Sequence, residues 1–304
     1  MNPAIPPILA TPEITADSLL PLLRTRVLGR RVHAFGRCDS TNRVARHLLE
    51  SRGPDGLRPI DHGALIVTDH QNAGRGRNGR SWVSSPGGSL LFTLILNPDL
   101  VFPDDADRDP EDQVRALIRK SGLVTMAAAV AVVRAVRVVG GPLCPIKWPN
   151  DVLAPDGRKL SGILTERVVR PDDGAGLVCG IGVNVNQAEE DFPPELRESA
   201  ASVRMLKGGE PSRLRLLAEL LGQFELLFSL PEADVFNVWK NLCVTIGKTV
   251  RVRLHDRVLR GQALGVEEDG RLILRDESGQ LECVSAGDVE ELRGVPVARP
   301  CSMA

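Results

Sequence analysis

The chain has 304 residues, 42% of them hydrophobic, a mean hydropathy of −0.06 and a formal net charge of −1, which places it with globular proteins of about two domains. A pI near 6.5 and an aromatic content of 3% without tyrosine exclude a general polyanion binder, which would be strongly basic, and a stacking platform for single-stranded nucleic acid. The six cysteines are scattered and never form C-x-x-C, and no Cys/His cluster accompanies them; reduced, mostly buried thiols and a cytoplasmic location are expected rather than a zinc site or a disulfide framework.

Residues 1–13 are proline-rich, lack the basic and apolar regions of a signal peptide, and read as a disordered leader. The stretch ITADSLLPLLRTRV allows at most one short helix, so residues 1–31 precede the first domain. Alternation at Val32–Phe35 predicts a strand, and D-S-T-N at 39–42 followed by Val44, Ala45, Leu48 and Leu49 predicts a capped helix. GALIVTDHQ (63–71) and SLLFTLIL (89–96) read as strands, and the acidic residues 103–113 as an exposed loop. The apolar run at 123–136 is too short to span a bilayer and is interrupted by Arg134; it predicts a buried helix within 114–138.

Two extended segments, 145–153 and 159–166, flank a Pro155-Asp156-Gly157 turn and predict a hairpin. LVCGIGVNVN (177–186) supplies another strand, and the leucine and phenylalanine stripe from Ser212 to Phe228 a core helix. From Gly247 onward, short alternating segments separated by Glu268-Asp269-Gly270 and Ser278-Gly279 predict a small antiparallel barrel of about five strands. The resulting division is 32–246 for a first domain, 247–295 for the barrel and 296–304 for a flexible tail.

Residues 71–82, QNAGRGRNGRSW, carry the densest functional signal. Gly74, Gly76 and Gly79 match G-x-G-x-x-G, but a dinucleotide turn needs a helix directly after the glycines, and here a strand follows. Arg75, Arg77 and Arg80 on a glycine-rich loop suit phosphate or carboxylate oxygens, because each guanidinium is a planar fork of donors. An exposed basic loop is the alternative. Lys147 and Lys159 are two further cations; a solvated strand lysine and an exposed turn lysine are the ordinary readings, against phosphate contact by a point charge. Ser40 and Thr41 stand where a helix begins, so one of them is expected to cap it. Gly162, Gly180 and Gly182 lie inside strand-like runs, where close backbone approach to a ligand explains glycine better than a turn. Trp82 either borders a nucleotide or belongs to the core.

Taken in order, D-S-T-N (39–42), Q-N-A-G-R-G-R-N-G-R-S-W (71–82), K-W-P-N-D (147–151), K-L-S-G-I-L-T-E (159–166) and G-I-G-V-N-V-N (180–186) closely resemble the biotin protein ligases. The resemblance runs from about Val32 to Leu292. It implies an α+β fold: a catalytic domain like the class II aminoacyl-tRNA synthetases, with a mixed, largely antiparallel sheet and helices, followed by an SH3-like barrel. It also implies a two-step reaction, in which the biotin carboxylate attacks the α-phosphorus of ATP and a lysine of a carrier domain then attacks biotinyl-5'-AMP. The matching positions assign biotin to Ser40, Thr41, Asn42, Gln71, Gly74, Arg75, Gly76, Gly162, Leu164, Gly180 and Gly182. Arg75, Arg77, Trp82, Lys147, Asn150 and Lys159 fall to the nucleotide and its phosphates, with Arg77, Lys147 and Lys159 catalytic. Asp151 would serve Mg2+ on the nucleotide or brace Lys147. Asn78 departs from the basic residue many relatives carry there, which puts loop strength rather than reaction type in question.

The implied carrier is the biotin carboxyl carrier domain of acetyl-CoA carboxylase, with neither nucleic acid nor membrane as partner and homodimerisation through a sheet edge open. A lipoate protein ligase is the nearest alternative, and a biotin-responsive sensor or repressor a further one. About thirty residues before the first domain are too few for a winged helix, so the monofunctional type is expected.

Overall fold

The computed structural model describes residues 12–51, 61–102, 110–170, 174–254, 257–285 and 287–291. The proline-rich stretch 1–11, most of the acidic segment and the tail from 292 lie outside the described residues. In chain order the elements are α1 (Ala16–Leu19), β1 (Val32–Phe35), α2 (Thr41–Glu50), β2 (Leu65–Thr68), β3 (Ser89–Leu96), α3 (Pro110–Val138), β4 (Ile146–Lys147), β5 (Asp151–Leu153), β6 (Lys159–Arg170) and β7 (Gly174–Asn184). Then follow α4 (Val203–Lys207), α5 (Arg213–Phe228), α6 (Glu232–Leu242), β8 (Thr249–Arg253), β9 (Val258–Val266), β10 (Leu272–Asp276), β11 (Leu281–Val284) and β12 (Asp288–Glu291).

Strands β1 to β7 form one seven-stranded sheet in the order β1-β2-β3-β7-β6-β5-β4, parallel only between β1 and β2. The mixed, largely antiparallel α+β architecture read from the sequence is therefore present. β3 is buried along its whole length because both faces of the sheet are covered. Leu90, Phe92, Leu94 and Leu96 enter the main core with α3 and α5, whereas Ile95 packs with Ala45 and Leu49 of α2 on the opposite face. Thr93 lies on that second face, which is where the site forms.

Helix α3 is longer than its apolar run, and by length and composition Val114–Val138 could cross a membrane. Here Ala127–Val132 are wholly buried between the sheet and α5 and α6, so the stripe is core. The small sheet follows the order β11-β10-β9-β8-β12, antiparallel throughout. Its Val250, Val252, Leu272 and Leu274 join the same hydrophobic cluster as α3. Two contacts fasten it: Trp148 Nε1 donates to the Gly270 carbonyl at 2.8 Å, and a Cβ on Gly122 would lie 2.7 Å from the Asp269 carbonyl.

Sequence reading and structure differ in four places. Residues 110–113, read as the end of an exposed acidic loop, open helix α3. The 145–153 segment is two short antiparallel strands, since a turn with a cis Trp148–Pro149 peptide separates Lys147 from Asp151 and lets the two residues pair. Ser40 is the N-cap of α2 but makes no side-chain capping bond; the Gln71 Oε1 accepts from the Thr41 N–H at 2.8 Å and satisfies the helix start from a distant loop. Helices α4 and α6 had no sequence assignment, although Val235 and Trp239, buried one turn apart after Pro231, were a legible signal for α6.

Candidate active site

Residues 69–88 leave β2 and return as β3, so the glycine-arginine loop caps a hairpin of the main sheet. Its first residues run alongside the β1–α2 connection, with the amides of Asn72 and Ala73 donating to the carbonyls of Cys38 and Asp39, each at 2.9 Å. The tip is a miniature hairpin. Trp82 N–H donates to Gly74 O at 2.9 Å, Gly76 N–H to Arg80 O at 2.7 Å, and a 3-10 turn spans Arg77–Gly79. Asn78 sits at φ 54°, a left-handed conformation that asparagine tolerates better than most residues, so the departure at this position has a backbone reason. A Cβ on Gly74 would come 2.5 Å from the Trp82 carbonyl, so this glycine is required by the hairpin itself.

Below the loop lies a small cleft of about 30 Å³. Ser40, Thr41 and Asn42 from the start of α2 meet Gln71, Arg75 and Trp82 from the loop, with Gly162 and Leu164 of β6 and Gly180 and Gly182 of β7 as the floor. Asn42 is held in full: its Nδ2 donates to Glu166 Oε2 at 2.7 Å and Leu164 O at 3.2 Å, and the Thr93 hydroxyl lies 2.7 Å from its Oδ1. The Thr93 hydroxyl, whose one proton goes to the Asn42 Oδ1, also lies 2.8 Å from the Thr41 hydroxyl. A second, larger cavity of about 650 Å³ adjoins Leu164. Arg77 and Asn150 line it, facing Arg46, Thr125, Trp148 and the Asp269–Arg271 turn of the small sheet.

The floor glycines accommodate the protein's own side chains. A Cβ on Gly182 would lie 2.7 Å from the Trp82 ring, one on Gly162 3.1 Å from it, and one on Gly180 2.0 Å from Asn42 Oδ1. Close approach does explain these glycines, but the approaching groups are Trp82 and Asn42. Trp82 is thus half-buried over the cleft rather than in the core, with no hydrogen bond to its buried Nε1.

Lys159, on the first residue of β6, is not a solvated turn lysine. Its ammonium lies 2.7 Å from Asp151 Oδ1 and 5.6 Å from the Trp82 ring centroid. Asp151 therefore braces Lys159 and not Lys147. With its carboxylate so engaged, and with no group of three or more His, Cys, Asp or Glu side chains able to hold a metal among the described residues, the donor set does not fit a protein-held magnesium ion. The Asn150 amide donates to Ile163 O at 2.7 Å, so it too is partly structural. Lys147 is half-buried at the outer strand and lines neither cavity. Burial pushes the Cys38 thiol, next to this loop, up to about 11, an effect only partly offset by the Thr68 hydroxyl.

Four of the five sequence motifs therefore meet in the small cleft, and the fifth, K-W-P-N-D, borders the adjoining cavity through Trp148, Pro149 and Asn150. Residues 35–184 match the model of the Biotin/lipoate A/B protein ligase family, and residues 245–290 that of the Biotin protein ligase C terminal domain. The Bifunctional ligase/repressor BirA of Bacillus subtilis is 33% identical over 272 residues, covering 88% of this chain and 76% of that protein. The Biotin--[acetyl-CoA-carboxylase] ligase of Mycobacterium tuberculosis is 32% identical over 238 residues, covering 76% and 80%. The chain belongs to the biotin protein ligase family. Among solved structures, the biotin protein ligase from Aquifex aeolicus in complex with biotin and ATP shares the fold at a TM-score of 0.65 and 23% identity, over 87% of this chain and 99% of that one.

Thr93, Glu166, Arg46 and the Asp269–Arg271 turn shape the cleft and the cavity beside it without having been singled out as site residues. A lone threonine in the middle of SLLFTLIL was the available signal for Thr93, since a buried hydroxyl needs a partner. Glu268-Asp269-Gly270 reads locally as a turn, but its place at the cavity comes from the docking of the small sheet.

Proposed function

We propose that this chain activates biotin with ATP to give biotinyl-5'-AMP and pyrophosphate, then transfers biotin to a lysine of a carrier domain of acetyl-CoA carboxylase. The observation that carries the reading is the convergence of the 39–42, 71–82, 159–166 and 180–186 motifs on one cleft, beside a cavity bordered by 147–151. In the first step a carboxylate oxygen bonds to the α-phosphorus and the pyrophosphate oxygen leaves. Two anions must be held together, so aligned positive charge is the main requirement.

Lys159, aimed by Asp151 and lying against Trp82, supplies that charge at the reacting centre. Arg75 at the small cleft and Arg77 at the larger cavity hold the carboxylate and phosphate ends. Ser40, Thr41 and Gln71 supply hydrogen-bonding groups for a polar biotin ring, Asn42 shapes the pocket beside them, and Leu164 and the glycines form its floor. Gly76 belongs to the same assignment, and Lys147 contributes charge from the outer strand. Asn150 borders the nucleotide, and magnesium in this reading arrives on the triphosphate. In the second step the carrier amine bonds to the acyl carbon and AMP leaves.

The same reading takes residues 32–246 as a class II synthetase-like catalytic domain and 247–295 as an SH3-like barrel, supported by the antiparallel order of the small sheet. A cytoplasmic setting accords with free Cys38, Cys144, Cys179, Cys243 and Cys283, and homodimerisation through a sheet edge is included. The test is to supply ATP, Mg2+ and either biotin or lipoate, and follow pyrophosphate release and acyl transfer to a carrier domain. Biotin-specific turnover is expected; turnover with lipoate alone would replace the substrate, and tight biotin binding without turnover would make the chain a sensor.

A further inference from the structure

Arg213 opens helix α5, far in sequence from every motif above, and its side chain is 1% exposed. A buried cation at a helix N-terminus is disfavoured twice, by desolvation and by the helix dipole, so the position needs a compensating role. The partners supply it. Nη2 donates to Asp69 Oδ1 at 2.8 Å and Nη1 to the Ser89 carbonyl at 3.0 Å. Asp69 is the residue at which the glycine-arginine loop leaves β2, and Ser89 is the residue at which it returns as β3. One guanidinium therefore joins both stems of the loop that carries Gln71, Arg75, Arg77 and Trp82. Glu13 completes the clasp: its carboxylate pairs with Nη2, and its N–H donates to Asp69 Oδ2 at 2.8 Å. The returning stem is fixed further by Gln187 Nε2, which donates to Ser89 Oγ at 2.6 Å.

We propose that Arg213 is a positioning residue for the ligand loop: by clasping Asp69 and Ser89 it sets the separation and angle of the loop stems, and so where Arg75, Arg77 and Trp82 stand over the cleft. The planar fork is what the task needs, because two acceptors lie on two different strands; a lysine offers one point charge and cannot hold both in line. The inference rests on the ligase reading for its consequence, not for the clasp itself.

The experiment compares full-length wild type with Arg213→Lys, Arg213→Met and Asp69→Asn by amide hydrogen exchange without ligand, and then by escape of biotinyl-AMP. In the folded Arg213 variants, exchange at Asn72, Gly76 and Trp82 is expected to rise about tenfold, while the β3 and β7 amides stay at the wild-type rate. Escape of the adenylate should rise by a similar factor, with Lys little better than Met. Asp69→Asn keeps an acceptor but loses the ion pair, and serves if the Arg213 variants do not fold; a smaller rise confined to the loop is expected. Loop amides that exchange as in wild type, or a rise spread equally over β3 and β7, would overturn the clasp. Wild-type protein that forms no biotinyl-AMP would overturn the ligase reading alone, since the exchange comparison needs no ligand.

Discussion

Lys159 and Asp151 form an ion pair of 2.7 Å between the first residue of β6 and the first residue of β5, and the ammonium lies 5.6 Å from the Trp82 ring centroid. The lysine is thereby held beside Gly162 of the cleft floor and the Trp82 ring, and in the proposed reaction it would preorganise charge for the phosphoryl group. Lys159→Ala is expected to slow adenylate formation about 100-fold while leaving biotin affinity within about threefold, because the charge acts chiefly in the transition state. Asp151→Asn leaves the lysine in place but unaimed and should cost about tenfold in the same step. Single-turnover pyrophosphate release with parallel biotin titration checks both; an unchanged rate in Lys159→Ala removes this lysine from the chemistry.

Two of the floor glycines, Gly180 and Gly182, separate by what stands over them. Gly180→Ala drives a methyl to within 2.0 Å of Asn42 Oδ1, and Asn42 cannot yield without breaking its bonds to Thr93, Leu164 and Glu166. A loss of about 1–3 kcal/mol in stability and a raised KM for biotin are expected. Gly182→Ala meets the Trp82 ring at 2.7 Å, but Trp82 ends a loop hairpin and can shift with it. Here the melting temperature should stay close to wild type while Trp82 fluorescence changes. Equal destabilisation by the two substitutions would contradict this division.

Arg77 lines the larger cavity while Arg75 lines the smaller, although only Gly76 separates them. The 3-10 turn at Arg77–Gly79 is what parts them. Arg77→Gly should therefore weaken the hold on the phosphate end of the adenylate more than on biotin, giving about tenfold faster escape of biotinyl-AMP with a smaller change in its formation. Rapid filtration of enzyme loaded with labelled adenylate measures both rates, and an unchanged escape rate would place the retention elsewhere.

The contrast between motif and environment explains what could be read from residues alone. Strand, loop and helix periods around Thr41–Glu50 and Ser89–Leu96 are local, and both elements form where the pattern puts them. The reason for Gly180 is not local, because the side chain that needs its space begins on α2 and crosses β3 to reach it. Likewise the acceptor at the start of α2 comes from Gln71 and not from Ser40, and the partner of Asp151 is Lys159 on the next strand. Nothing local marks Arg213, which stands before a leucine stripe; the meeting of α5 with Glu13 and the ends of β2 and β3 gives it partners.

The cysteines give a prediction with a pH sign. Burial pushes Cys38 and Cys144 up to about 11 and Cys179 to about 12, and raises Cys243 as well, from an ordinary value of 9.0. Each raised thiol binds its proton more tightly in the folded chain than in the unfolded one. Their contribution to stability is thus fully present below pH 9 and is lost as pH rises through 9 toward 11 and 12, so the melting temperature should fall across that window. At pH 8 the buried thiols are protonated and shielded, while Cys283 is exposed. Brief iodoacetamide treatment of the native protein followed by peptide mass mapping should modify Cys283 and spare Cys38, Cys144 and Cys179. Modification of Cys38 at a rate equal to Cys283 would show that the β1–α2 connection, and with it the anchorage of Asn72 and Ala73 at the foot of the ligand loop, opens freely in solution.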